Sequence, residues 1–142
     1  MGAFSLRFLF VTALFFAVSC KTAHNKSEIE SAMIRYNYFI QKVDADSIAS
    51  MFTPDGDLGK MAHGQESIKN FLGGFKNFQV LSQKSETESI QLKKDSATQI
   101  GHYKQVAVVG KDTFRVKGEF TAQWLWLKQI GWRIKSMETK PN

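Results

Sequence analysis

A chain of 142 residues is the size that one hydrophobic core organises, which excludes a multidomain assembly, and its single cysteine, Cys20, excludes an intramolecular disulfide. The formal charge of +6 comes from lysines and arginines spread over the later segments, among them Lys84, Lys94, Lys104, Lys117 and Arg133. No dense basic run with interleaved aromatics occurs, so the pattern points to a solvated basic face and away from a nucleic-acid partner.

The chain begins with a signal-peptide pattern. Arg7 precedes the apolar run Phe8 to Val18, which has the length of a signal-peptide core and stops short of the roughly 20 residues that a membrane span requires. Ala17-Val18-Ser19-Cys20 resembles the lipobox of bacterial lipoproteins, in which the cysteine is lipidated and becomes the mature N-terminus. The position three before the cysteine, ordinarily a large aliphatic residue, is Ala17 here. An ordinary secretory signal cut nearby and an uncleaved anchor are the alternatives. The expected organisation is a signal peptide over 1–19, a lipidated Cys20 with a polar tether over 20–26, and one domain over 27–142. The expected location is a bacterial cell envelope, on the periplasmic or outer-membrane side, with the membrane reached through Cys20.

From Ser27 the pattern is helical. Ile29, Met33, Tyr36, Ile40 and Val43 recur at alternating spacings of four and three, and Ser27 with Glu30 forms a capping box, which predicts an amphipathic helix over Ser27 to Val43. Asp46 is placed to cap a short second helix through Phe52, and Thr53-Pro54-Asp55-Gly56 is turn chemistry that stops it. Asp57 to Ala62 has room for no more than an edge strand. Gln65 to Leu72, with Ile68, Phe71 and Leu72 on one face and Gly73-Gly74 as terminator, predicts a third helix.

The remainder reads as strands: Asn77 to Ser82 leading into Glu86 to Lys93, then Ala97 to Val109, Thr113 to Lys128, and Trp132 to Thr139. The breaks between the later ones are short enough for hairpins. The last two strands carry Phe120, Ala122, Trp124 and Trp126 at period two, facing Trp132, Ile134 and Ser136. Three helices followed by a meander predict an α+β fold, with the helices covering one face of an antiparallel-rich sheet.

Several local phrases strengthen that expectation. The long first helix, Asp46-x-Ile48-x-x-Met51-Phe52 with Thr53-Pro54-Asp55-Gly56 after it, His63-Gly64-Gln65-Glu66-Ser67-Ile68, the Ala97-x-x-x-Gly101 strand and the closing Gly131-Trp132-Arg133-Ile134 resemble the nuclear transport factor 2-like superfamily, in particular its SnoaL-like branch. The resemblance spans about Ser27 to Lys140. It implies a cone: a strongly curved sheet wrapped around the helices, with a ligand pocket at the open end. Members of the superfamily include ketosteroid isomerases, scytalone dehydratase, polyketide cyclases and proteins that only bind or assemble, so fold alone selects no activity.

Within such a cone, the polar side chains in phase with the apolar faces are Tyr36, Gln99, Tyr103, Ser136 and Glu138, with Trp124 as an aromatic wall. Proton transfer needs a buried carboxylate or histidine and a donor for the developing oxyanion. Glu138 and Asp57 are the candidate bases, and Tyr36 and Tyr103 the candidate donors. Each has a plainer reading: Glu138 as a strand-end carboxylate in solvent, Asp57 as turn composition, the tyrosines as core residues, and Trp124 as packing. His63 could line the mouth of the cone or simply pack at a helix start. His102 falls in the outward phase, and His24 lies in the tether. No histidine pair has metal-site spacing, so neither metal nor cofactor is expected. The leading expectation is a non-catalytic binder of a small apolar molecule. An isomerase, cyclase or dehydratase-type enzyme and a structural dimerisation module are the alternatives. A homodimer would use the outer sheet face through Thr121, Gln123, Leu125 and Leu127.

Overall fold

The computed structural model describes residues 23–142. The signal peptide, the lipidation of Cys20 and the first residues of the tether lie outside the described residues. Three helices, α1 (Lys26–Lys42), α2 (Ala45–Ser50) and α3 (Gln65–Gly73), accompany six strands. These are β1 (Phe52–Leu58), β2 (Ala62–His63), β3 (Phe78–Lys93), β4 (Ser96–Val109), β5 (Asp112–Leu127) and β6 (Gly131–Pro141). They form one sheet in the order β2-β1-β6-β5-β4-β3. All neighbours are antiparallel except β1 and β6, which run parallel.

α1 forms where its stripe predicts, and it buries Ile29, Ala32, Met33 and Tyr36. Its cap lies earlier than Ser27: the Asn25 side chain accepts from the Glu28 backbone N–H, so the helix starts within the expected tether. His24 also belongs to the fold, stacked on Trp126 and Trp132 with ring centroids 4.3 and 5.0 Å away. Asp44, not Asp46, caps α2, taking hydrogen bonds from the backbone N–H and hydroxyl of Ser47. The Thr53-Pro54-Asp55-Gly56 turn lies inside β1. There the register against β6 jumps from Phe52 opposite Ile134 to Asp57 opposite Ser136, so the segment bows out of the ladder.

The two segments expected at Asn77 to Ser82 and Glu86 to Lys93 are one continuous β3. It carries bulges between Val80 and Ser82 and between Thr87 and Ser89, which bend it around α1 without ending it. Gly101 of β4 allows the tightest approach in that bend, because a Cβ there would lie 2.2 Å from the Glu86 carbonyl oxygen. The core is centred on Trp124, Phe52, Ile29, Ile48, Ile68 and Ile134, all fully buried. Trp124 alone withdraws on the order of 200 Å² from water, an upper bound of about 5 kcal/mol of hydrophobic stabilisation.

A further bulge decides which groups face inward. Trp124 pairs with Ile134 but Gln123 pairs with Ser136, so Lys135 is an extra residue on β6. Beyond it the alternation reverses: Met137, opposite buried Ala122, faces the core, while Glu138, opposite Thr121, is exposed. The unbroken alternation expected for Ser136 and Glu138 is thereby corrected, and both belong to the outer face. On that face Leu125 and Leu127 are half-buried and Gln123 is exposed.

Candidate functional site

The cone encloses a cavity of about 310 Å³. One wall is the middle and C-terminal part of α1, through Met33, Tyr36 and Ile40, whose spacing of three and four brings them onto one face. α3 and the turn after it add Phe71, Leu72 and Phe75. From the bent sheet come Phe78, Val80, Phe120 and Met137 as the apolar lining, with Gln83, Ser85, Tyr103, Gln105 and Thr139 as the polar part. Met61, 55 % exposed, stands at the rim. No aspartate, glutamate, histidine, lysine or arginine is among the described residues that line it.

The polar lining is already internally bonded on one side. Gln105 donates through Nε2 to Gln83 Oε1 at 2.9 Å, while Gln83 Nε2 and Ser85 Oγ donate to Asn37 Oδ1 at 3.3 and 2.9 Å. This chain ties α1 to β3 and β4 and fixes the amides in the wall. The two tyrosines face the same space. Burial pushes the Tyr36 phenol far above its ordinary range. Burial also raises Tyr103, offset in part by the neighbouring Thr139 hydroxyl. Both therefore stay protonated at neutral pH and act as hydrogen-bond donors, not as bases.

Of the residues singled out in the sequence, Tyr36 and Tyr103 line the cavity. Gln99 and Trp124 lie beneath it and are fully buried. The Trp124 indole donates to Gln99 Oε1 at 3.1 Å, and Gln99 Nε2 donates to Thr87 Oγ1 at 2.9 Å. This brace across β5, β4 and β3 satisfies polar groups that would otherwise be stranded in the core. Ser136 and Glu138 are outside the cavity, turned away by the Lys135 bulge. Asp57 is also outside: along β1, Gly56 and Leu58 are buried and alternate with it, and Leu58 is the one that lines the cavity. Its Oδ1 lies 2.6 Å from His63 Nδ1, an acid–base pair whose side chains are 41 % and 72 % exposed. The candidate bases are thus separated from the candidate donors. Among the described residues, no group of three or more His, Cys, Asp or Glu is arranged to hold a metal ion.

Several further lining residues carry a signal in the sequence, and others carry none. Gln105 continues the phase of Gln99, Gly101 and Tyr103 on β4 and was legible from alternation alone. Gln83 and Ser85 sit in a part of β3 that reads as a break because it is polar. Met137 and Thr139 were hidden by the bulge, which nothing in the β6 composition announces.

A model of the SnoaL-like domain matches residues 21–138. No curated protein matches the chain. Among solved structures, it is similar to a nuclear transport factor 2-like superfamily protein from Salmonella enterica serovar Typhimurium, with 21% identity over 81% of this chain and 89% of that one and a TM-score of 0.68. A ketosteroid isomerase-like protein from Erwinia carotovora atroseptica is 16% identical over 83% of this chain and 98% of its own, with a TM-score of 0.71. A protein from Catenulispora acidiphila, solved in complex with S-DNPA, is 14% identical over 81% of this chain and 91% of its own, with a TM-score of 0.68. At these identities the likeness is one of fold.

Proposed function

The chain belongs to the SnoaL-like domain family, and on that footing we propose that it is an envelope lipoprotein whose cone holds a small, uncharged, largely apolar molecule without transforming it. The observation that carries this reading is the lining itself. It offers apolar walls, two protonated phenols and a row of amide and hydroxyl groups, with no carboxylate or imidazole among the described residues that line it. A ligand bearing a formal charge would lose its hydration with no counter-charge to replace it, which costs several kcal/mol. A ligand with one carbonyl or hydroxyl would meet the Tyr36 and Tyr103 donors. The volume lies at the lower end of the range of small-molecule sites.

Native mass spectrometry of the gently purified protein tests this, together with titration by an uncharged solvatochromic dye. We expect a retained adduct or saturable dye binding, weakened roughly fivefold to tenfold in Tyr103→Phe by loss of one buried hydrogen bond. A protein that carries no adduct and takes up no apolar probe sinks the reading. Lipid attachment is tested separately: Cys20→Ala should abolish palmitate incorporation, and a variant that remains membrane-bound after its signal peptide has been removed would contradict anchoring through that residue.

A second reading is favoured by the short Asp57–His63 contact: proton transfer at the surface where β1 meets β2, outside the cavity, with the carboxylate orienting the imidazole. It predicts solvent deuterium exchange into enolisable ketones, abolished in Asp57→Asn. A panel of such ketones showing no exchange above buffer removes it.

A further inference from the structure

The end of the domain opposite the cavity has a composition that the binding reading does not use. There the N-terminus of α1, the β3–β4 turn and the β5–β6 turn meet. The Trp126 backbone N–H donates to the Asp95 carbonyl at 2.8 Å and joins the two turns. His24 lies against Trp126 and Trp132, and its Nδ1 is 2.9 Å from Glu28 Oε2, which also accepts from the Trp132 indole at 2.8 Å. The chain is thus fastened to this end at His24 before α1 begins. The same end exposes apolar surface, with Ile130 57 % and Trp126 36 % accessible. Lys93, Lys94 and Lys128 sit on its two turns, all exposed. Glu28 is occupied by Trp132 and His24, and Asp95 faces His24 Nε2 at 3.7 Å.

Only three residues separate His24 from Cys20, four Cα steps with a reach of about 14 Å at full extension. The cavity is at the other end of α1, whose 17 residues span roughly 25 Å. We propose that the Trp126–Ile130 turn and its neighbouring lysines dock on an anionic phospholipid surface, holding the domain closed end down with the mouth of the cone facing away from the membrane. This rests on the lipidation of Cys20 proposed above for the length of the leash, and on the surface itself for the contact. The lipid on Cys20 keeps the domain beside the bilayer without fixing which end faces it, and a basic patch close to the anchor supplies the attraction that sets the orientation. An aromatic ring and an aliphatic side chain suit the headgroup boundary, where each finds both apolar and polar neighbours. Among the described residues no helix is long and apolar enough to cross a membrane.

The orientation is read in washed membranes from bacteria producing the full chain as Ile130→Cys or Met61→Cys, labelled with an environment-sensitive maleimide. Both positions are exposed, so neither substitution threatens folding. The expected result is blue-shifted emission from position 130, quenched by a nitroxide lipid, and iodide-quenched emission from position 61. Equal iodide quenching at both, or the reverse pattern, overturns the proposal. Radiolabelled palmitate incorporation at Cys20 shows independently whether the lipid is present. If the chain carries no lipid and is recovered in soluble form, the anchoring reading fails by itself. Docking is then read by co-sedimentation with phosphatidylglycerol/phosphatidylcholine vesicles. Binding that falls on the order of 100-fold in the K93Q/K94Q/K128Q variant, at roughly fivefold per lysine, supports it. No binding, or equal binding to purely zwitterionic vesicles, overturns it.

Discussion

Lys135 decides the character of β6, because one extra residue there turns Glu138 to solvent and Met137 to the cavity. Gln99 has the opposite history: it faces inward as its phase predicts, but it serves the core and not the cavity. Replacing it with leucine leaves the Trp124 indole without an acceptor, so Gln99→Leu should cost about 2 kcal/mol in urea unfolding, with dye binding largely retained. A loss of binding without a loss of stability would move Gln99 back into the site. Glu28 supplies a pH-dependent contact. The Trp132 hydrogen bond, then His24, holds its carboxyl below the ordinary 4.5. A depressed folded value means that the stabilisation is complete above the unfolded value and is lost as pH falls through the folded one. Glu28→Gln should therefore lower the melting temperature near neutrality while flattening its fall below about pH 4.5. An acid limb identical to that of the parent protein would show that other carboxylates govern it.

The elements that were legible in the sequence are those whose signals are local. The α1 stripe, the Gly73–Gly74 stop and the three hairpin turns between β3 and β6 each lie within a short window, and each forms where the pattern places it. What was not legible depends on distant partners. The parallel pairing of β1 with β6 joins segments some eighty positions apart, and neither carries a mark of the other. The same holds for the bulges: β3 is continuous because β4 pairs with it on both sides of each irregularity, although its polar middle reads as a gap. His24 reads as tether because a lone histidine before a helix has no periodicity, and only the Trp126–Trp132 surface gives it a position. The bend itself can be tested at Gly101. An alanine Cβ would lie 2.2 Å from the Glu86 carbonyl oxygen and 2.8 Å from Phe120 Cε1. Because backbone cannot swing aside as a side-chain tip can, Gly101→Ala should cost about 3 kcal/mol and widen the β3–β4 separation. Near-neutral stability by chemical denaturation would show that the sheet flattens readily at this point.

At the scale of the molecule, the two ends differ in how completely they are packed. The closed end and the core beneath the cavity contain the fully buried Trp124, Phe52 and Ile134, while the open end is lined by residues such as Phe71, Phe75 and Phe78 that are only half-buried. A half-buried ring beside existing empty space contributes less to folding than one packed on all sides, because its removal strips fewer contacts and enlarges a void that is already present. Stability and ligand affinity should therefore respond to different substitutions. Phe52→Ala should cost about 4 kcal/mol in chemical denaturation. Phe75→Ala should cost about 1 kcal/mol, yet weaken apolar dye binding by fivefold or more, since the Phe75 ring lies between Phe71 and Phe78 and continues the cavity wall. If the two variants lost stability and binding in the same proportion, the cone would behave as a single core with an incidental void. The separation also fits the proposed membrane-docked orientation, in which the fully packed end would rest on the surface and the end whose packing is incomplete would stay free to admit a molecule from the aqueous side.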